Sequence, residues 1–243
     1  MHTTVYVLAV IFIATLIRST FGFGEALVAV PLLALRIPIA VAAPLAVMVS
    51  VLVAAVIIIQ DWKSIHLTSA TGLFISSLFG IPLGLVMLTR IDDRWVKLIL
   101  GLLIVAFSVY SLLVGSTLHL KKDYPVLLLT AGFVSGILGG AYGMNGPPLA
   151  IYGSLRRWSP QNFRATLQGY FLPASLAGLI GYLWIGLLTR PVARDFLLSL
   201  PCVITAILIG RSLNHRLQGH AFFRVVYLAL VVIGIVLAIQ AIR

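Results

Sequence analysis

Charge is scarce in this chain. Only 9% of its 243 residues are charged, with six acidic residues against seventeen Lys and Arg. A soluble domain of this size carries roughly a quarter charged residues. The shortfall leaves too little polar surface to face water, so the chain reads as an integral membrane protein. Cysteine is nearly absent as well. Cys202 stands alone, which rules out an internal disulfide and argues against a Cys-based metal site. It reads as a small apolar residue within a span. Long polar stretches are also missing. The longest connection, Arg211 to His220, holds ten residues, so no soluble domain is visible. Binding must occur inside the membrane or in very short loops. The signatures of an enzyme are absent too: no nucleophile–base pair, phosphate loop or dinucleotide fingerprint, and no His or carboxylate cluster. No cofactor or metal is expected.

The positive surplus needs its own reading. A net charge of +11 in a soluble protein would suggest nucleic acid. In so apolar a chain, Lys and Arg are loop anchors that follow the positive-inside rule, and nucleic acid is excluded as a partner.

What is present is a series of apolar runs. A span needs about 20 apolar residues, and the chain divides into eight elements on that basis. They run Thr4 to Leu35, Pro38 to Ile59, Leu67 to Leu88, Trp95 to Val114, Pro125 to Tyr152, Arg164 to Leu188, Phe196 to Gly210 and Phe222 to Ile242. The seventh is short. The sixth contains Pro173 and four glycines, expected as bends. Trp62, Trp95, Trp158 and Trp184 fall near run ends, as an interfacial belt would place them. Val5 to Ile17 could be mistaken for a signal peptide. No Lys or Arg precedes it and Arg18 follows it, so it is expected to be a retained membrane element.

The chain also repeats itself. The first and fifth elements are each interrupted by glycines, at Gly22 to Glu25 and at Gly139 to Pro148. Proline follows each break, at Pro31 and Pro148. Then come Leu35-Arg36 and Leu155-Arg156, then Pro38 and Pro160. The expected fold is all-α and polytopic, a duplication of about 120 residues. Residues 1–120 and 121–243 form two four-element repeats, each with its first element broken. If all eight elements cross, Lys and Arg divide ten to six between the loops of the two faces, which favours both termini outside. If the broken elements are re-entrant, each half crosses three times, the repeats are inverted, and the division falls to nine against seven. Eight crossings is the preferred expectation.

Paired breaks point to a binding site. A break exposes backbone groups that lipid cannot satisfy, so it must line protein or a polar cavity. Gly132, Gly136, Gly139, Gly140, Gly143 and Gly146 crowd the second break. Packing alone explains Gly132 and Gly136. Asn145 with Pro147 and Pro148 reads as a helix start within the membrane, where free N–H groups favour an anion. Gly22 and Gly24 play the same part in the first break. Arg18 and Glu25 flank it, and charge inside a membrane is a functional hypothesis by default. Arg18 could hold an anion and Glu25 could exchange a proton; alternatively the two simply neutralise each other. Arg164, Gln168 and Ser175 share one helical face. Arg164 is either an anion ligand or a boundary anchor. Tyr152, Thr166 and Tyr170 are weaker candidates. His66, His119, His215 and His220 lie at span ends or in loops. Asp92 and Asp93 sit beside Arg90 and Arg94 as a solvated cluster.

These stretches resemble the sulfite exporter TauE/SafE family. Gly22 to Pro31 and Gly136 to Pro148 carry the resemblance, with Tyr152, Arg164 to Leu167 and Tyr170-Phe171. The sequence departs from the family at Glu25, where a further glycine would stand. The resemblance implies transport of sulfur-containing anions, such as sulfite or sulfonates, across a bacterial inner membrane. The reading is therefore a secondary transporter of a small anion, proton-coupled through Glu25. Arg18, Gly22, Gly24, Glu25, Gly140, Gly143, Asn145, Gly146, Arg164 and Gln168 are its candidate substrate-binding residues. Its partners are the anion, protons and the lipid bilayer, and a homodimer is allowed. A passive anion channel, a carboxylate transporter, a membrane-embedded enzyme and a non-transporting subunit are the alternatives.

Overall fold

A computed structural model describes residues 2–61, 66–113, 124–156, 158–214 and 220–242. Trp62, Lys63, His119, Lys121, Lys122, Arg157, His215, Arg216 and Arg243 lie outside the described residues. Ten helices follow in order among the described residues: α1 (His2–Phe21), α2 (Glu25–Ala34), α3 (Ile39–Asp61), α4 (Leu67–Arg90), α5 (Asp93–Leu113), α6 (Pro125–Tyr142), α7 (Gly146–Leu155), α8 (Pro160–Trp184), α9 (Arg190–Asn214) and α10 (His220–Ile242). Six stretches among them are long and apolar enough to cross a membrane: Thr3–Phe21, Ile39–Ile59, Leu67–Arg90, Asp93–Leu113, Pro125–Tyr142 and Arg190–Leu213.

Two boundaries differ from expectation. The sixth element starts a turn early, because Ser159 accepts from the Asn162 N–H at 3.2 Å and Pro160 occupies the first helical turn. The seventh is 25 residues rather than a short helix. Charged ends at Arg190, Arg194 and Arg211 hid its length from an apolar count.

Both breaks fall where glycine demanded them, but the chain does not continue straight through. Gly22 and Gly24 have φ of 88° and 97°, and Gly143 has φ of 65°. This left-handed backbone suits glycine and turns the helix axis back. The Tyr6 hydroxyl, near the start of α1, donates to the Leu32 carbonyl near the end of α2 at 2.5 Å. The Arg36 guanidinium lies over the Tyr6 ring, 4.4 Å from its centroid. So α1 and α2 form a hairpin that leaves on the side it entered.

The second break does the same from the other side. α6 runs parallel to α4, with Gly72 against Leu128 at one end and Gly84 against Ala141 at the other. α7 then returns to Trp158, whose ring stacks on His66 just ahead of α4, 5.8 Å away at 17°. At the opposite end of α4, the Ile39 N–H donates to Asp93 Oδ1 at 3.0 Å. The two hairpins thus enter from opposite faces. Each broken element doubles back on itself rather than running straight through.

Small residues bring the helices together. A Cβ added at Gly80, Gly84, Gly136 or Gly140 would fall on a carbonyl oxygen of the facing helix in the α4–α6 pair. This is small-xxx-small packing, in which van der Waals contact replaces the hydrophobic drive that lipid removes. α5 and α10 pack antiparallel, with Gly101 and Gly234 against each other's carbonyls. Arg94 donates to the Ala241 carbonyl and, at 2.5 Å, to that of Ile242, which satisfies the open end of α10.

Two outcomes follow. Gly84→Ala should lower stability by about 1–3 kcal/mol through overpacking, whereas Gly178→Ala, with nothing within 4 Å, should leave the thermal unfolding midpoint in detergent unchanged. With Cys202 replaced by Ala, single cysteines at Thr3, Arg36 and Asp92 should react with an impermeant maleimide from one face and a cysteine at Ser159 from the other. Eight crossings would instead put Thr3 opposite Arg36, and Ser159 beside Asp92.

Candidate functional site

The two breaks meet. Gly146 has Phe171 and Phe23 as its nearest neighbours, at 3.9 and 4.0 Å from where a Cβ would stand. Between them lies a small cavity of about 20 Å³, room for roughly one water. Its polar lining is Arg18, Glu25, Ser50 and Asn145; Phe23 and Phe171 supply aromatic walls.

Arg18 organises this space. Its guanidinium is buried, 3% exposed, beside a Glu25 that is 2% exposed. Nη1 donates to Glu25 Oε2 and, at 2.6 Å, to Ser50 Oγ. Nη2 donates to Gln168 Oε1 at 2.8 Å. The charge also faces the Phe171 ring, 5.1 Å from its centroid, a favourable cation–π contact. Gln168 in turn donates to the Gly22 carbonyl at 2.5 Å, tying α8 to the first break. Ser50 and Ser175 Oγ lie 3.3 Å apart. The expected polar face of α8 is real: Gln168 and Ser175 point at α1 and α3, and the Arg164 side chain packs over Gly22.

The satisfied contacts leave a remainder. A guanidinium has five N–H donors and a carboxylate two acceptor oxygens. Arg18 Nε and Glu25 Oε1 are buried with no partner, as is Asn145 Oδ1. Unpartnered buried polar atoms are costly and need a reason. Of the three, only Arg18 Nε is a donor that an anion could satisfy; the Asn145 oxygen packs against Gly139.

The two helix starts are unequal. α2 opens at Gly24 with Glu25, Ala26 and Leu27, all able to present N–H groups. α7 opens with Gly146, then Pro147 and Pro148, and proline has no N–H. The free N–H groups expected at the start of α7 are therefore fewer than those at α2. Asn145 holds the N-cap position, but its side chain makes no capping bond. Its carbonyl accepts from Ser135 Oγ at 2.6 Å, and Ser135 Oγ lies 2.9 Å from the Tyr170 hydroxyl. This network fixes the second break in place.

Of the candidate residues, Arg18, Gly24, Glu25, Gly143, Asn145 and Gly146 line the cavity. Gln168 stands behind Arg18, and Gly22 shapes the turn. Gly140 is elsewhere: it packs against the Ile81 carbonyl in the α4–α6 contact, because a helix face that must approach another backbone needs glycine too. Ser50, Phe23 and Phe171 were missed. Ser50 had a signal, being the one hydroxyl in the apolar helix Ile39–Asp61.

Comparison with known proteins identifies the family. The family model for the sulfite exporter TauE/SafE matches residues 7–237. This chain belongs to the sulfite exporter TauE/SafE family. Membership implies a membrane transporter. A relative from Cupriavidus necator, named a probable sulfite/organosulfonate exporter TauE, is 26% identical over 182 residues, covering 75% of this chain and 70% of the relative. No solved structure matches the chain.

The turn geometry predicts graded effects. Gly24→Ala should cost about 1–2 kcal/mol, the penalty for a side chain in left-handed backbone, since its Cβ would meet only Ile17 at 3.6 Å. Gly22→Ala should cost more, because its Cβ would also press on Arg164 Cγ at 2.8 Å. Thermal unfolding of the two purified variants measures the order.

Proposed function

We propose that this chain is a secondary transporter of a small sulfur-containing anion, sulfite or an organosulfonate, in a bacterial inner membrane. The anion binds between the two breaks, against Arg18 and the N–H groups that open α2, with Asn145 and Gly146 on the far wall. Gln168 and Gly22 hold Arg18 in place, and Arg164 backs the turn from α8. Glu25 exchanges the coupling proton. No enzymatic step enters this reading.

The observation that carries it is the buried Arg18, with Nε unpartnered, beside a cavity that two broken helices share. A charge at this depth is expensive and marks a substrate or ion path. Broken helices meeting near mid-membrane are a recurrent transporter site. The family and the name of the Cupriavidus necator relative agree on the kind of anion.

The two-repeat architecture, residues 1–120 and 121–243, has independent support in the packing. Exchanging α1 for α6, α2 for α7, α3 for α8, α4 for α9 and α5 for α10 maps the largest helix contacts onto one another. The pair α4–α6 becomes α9–α1, another major contact, while α3–α8 and α5–α10 map onto themselves. Because the hairpins enter from opposite faces, the repeats are inverted, and rocking one against the other would open the cavity to each face in turn.

A transport assay tests the site. Replacing Arg18 alone would strand Glu25, at a cost of about 3–5 kcal/mol for a broken buried pair. The double variant Arg18→Gln/Glu25→Gln avoids that cost. It should insert normally yet lose uptake of labelled sulfite and of sulfoacetate in proteoliposomes, and Asn145→Ala should also lose it. Undiminished flux in both variants would reject this site.

A further inference from the structure

The Arg18–Glu25 pair is incomplete. A guanidinium and a carboxylate usually pair through two parallel bonds where geometry allows. Here one oxygen, Oε2, takes one bond from Nη1. Oε1 and the Arg18 Nε are both buried and left without partners. The carboxylate therefore sits on Arg18 as a single-point occupant, at the place where an incoming oxyanion would bind.

The charge surroundings are simple. α1 contributes Arg18 and α2 contributes Glu25. α3 contributes the neutral Ser50, the second break contributes Asn145, and α8 contributes Gln168 behind Arg18 and Phe171 beside it. No other charged side chain lines the cavity among the described residues; Arg164 lies behind Gly22. One cation thus faces one anion, and the closed pair is neutral.

We infer that Glu25 is a tethered stand-in for the transported anion: substrate displaces its carboxylate from Arg18, Glu25 takes up one proton, and anion and proton cross together. The inference rests on the function proposed above and deepens it by giving the coupling its sign. The argument is one of charge in a poorly solvated place. Arg18 can offset one negative charge. Substrate and ionised Glu25 together would leave one in excess, and protonated Glu25 without substrate would leave Arg18 unmatched. Uncompensated charge away from water is costly. Two occupancies remain, ionised Glu25 alone or protonated Glu25 with a bound monovalent anion, and both are neutral. The proton is taken from the bulk solution and its buffer and resides on Glu25. This excludes exchange of the anion against a proton.

Calorimetry on the purified full chain tests this with isethionate, a sulfonate whose charge does not change near neutral pH. Titrations in buffers of different ionisation enthalpy count the protons taken up. The wild-type protein should take up one proton per anion bound, and its Kd should weaken about tenfold for each unit rise in pH. Glu25→Gln keeps the shape and a partner for Arg18, and should bind with no proton uptake and a flat pH profile. Glu25→Asp should retain the uptake. Binding by the wild-type protein without proton uptake, or a pH slope that survives in Glu25→Gln, overturns the inference and leaves the proposed function standing. If Glu25→Gln does not fold, the wild-type proton count decides alone. No binding of isethionate, sulfite or sulfoacetate to the wild-type protein rejects the proposed function and the inference with it.

Discussion

A positive charge held away from both water and lipid is the constraint on which this structure turns. Arg18 cannot remain there without Glu25, Ser50, Gln168 and the Phe171 ring around it. Those partners come from α2, α3 and α8, so one guanidinium on α1 joins the first hairpin to the central helices of both halves. The glycines at the break serve the same end. They turn the chain back so that Glu25, seven residues after Arg18, arrives beside it.

The rest of the molecule supports this centre by close approach rather than by hydrophobic collapse. Lipid offers Leu and Val no penalty, so helices that must stay together need small residues and a few hydrogen bonds. The glycine faces of α4 and α6 meet this need, as do Gly101 and Gly234. Buried hydroxyls perform the finer work. Tyr182 donates to the Gly140 carbonyl at 2.9 Å, and Tyr142 donates to that of Val96 at 3.0 Å. These bonds hold the broken end of α6 between α8 and α5, so the second wall of the cavity is rigid.

Much of this was legible in the residues. Hydropathy located the helices, and glycine with proline located both breaks. The buried Arg18 and Glu25 stood out because charge is rare here. The shared face of Gln168 and Ser175 followed from helical spacing. The direction of the chain after each break did not, because a glycine permits a reversal without requiring one. Hydropathy likewise cannot distinguish a thirty-residue crossing from a hairpin. Gly140 was misplaced because glycine serves equally at a ligand wall and at a helix contact. Phe23 and Phe171 escaped notice because aromatic residues are ordinary in a span. Pro147 and Pro148 signalled a helix start correctly, yet the same rings remove the N–H groups that would have made it a strong anion site.

The central claim is that an anion takes its place beside Arg18, between the two breaks. A crystal structure with 2-bromoethanesulfonate tests it most directly, since bromine gives an anomalous signal that marks the ligand. The account predicts a peak in the cavity between Phe23 and Phe171, with sulfonate oxygens on the Arg18 guanidinium and Glu25 moved off it. A peak elsewhere in the molecule, with the Arg18–Glu25 pair unchanged, would contradict it.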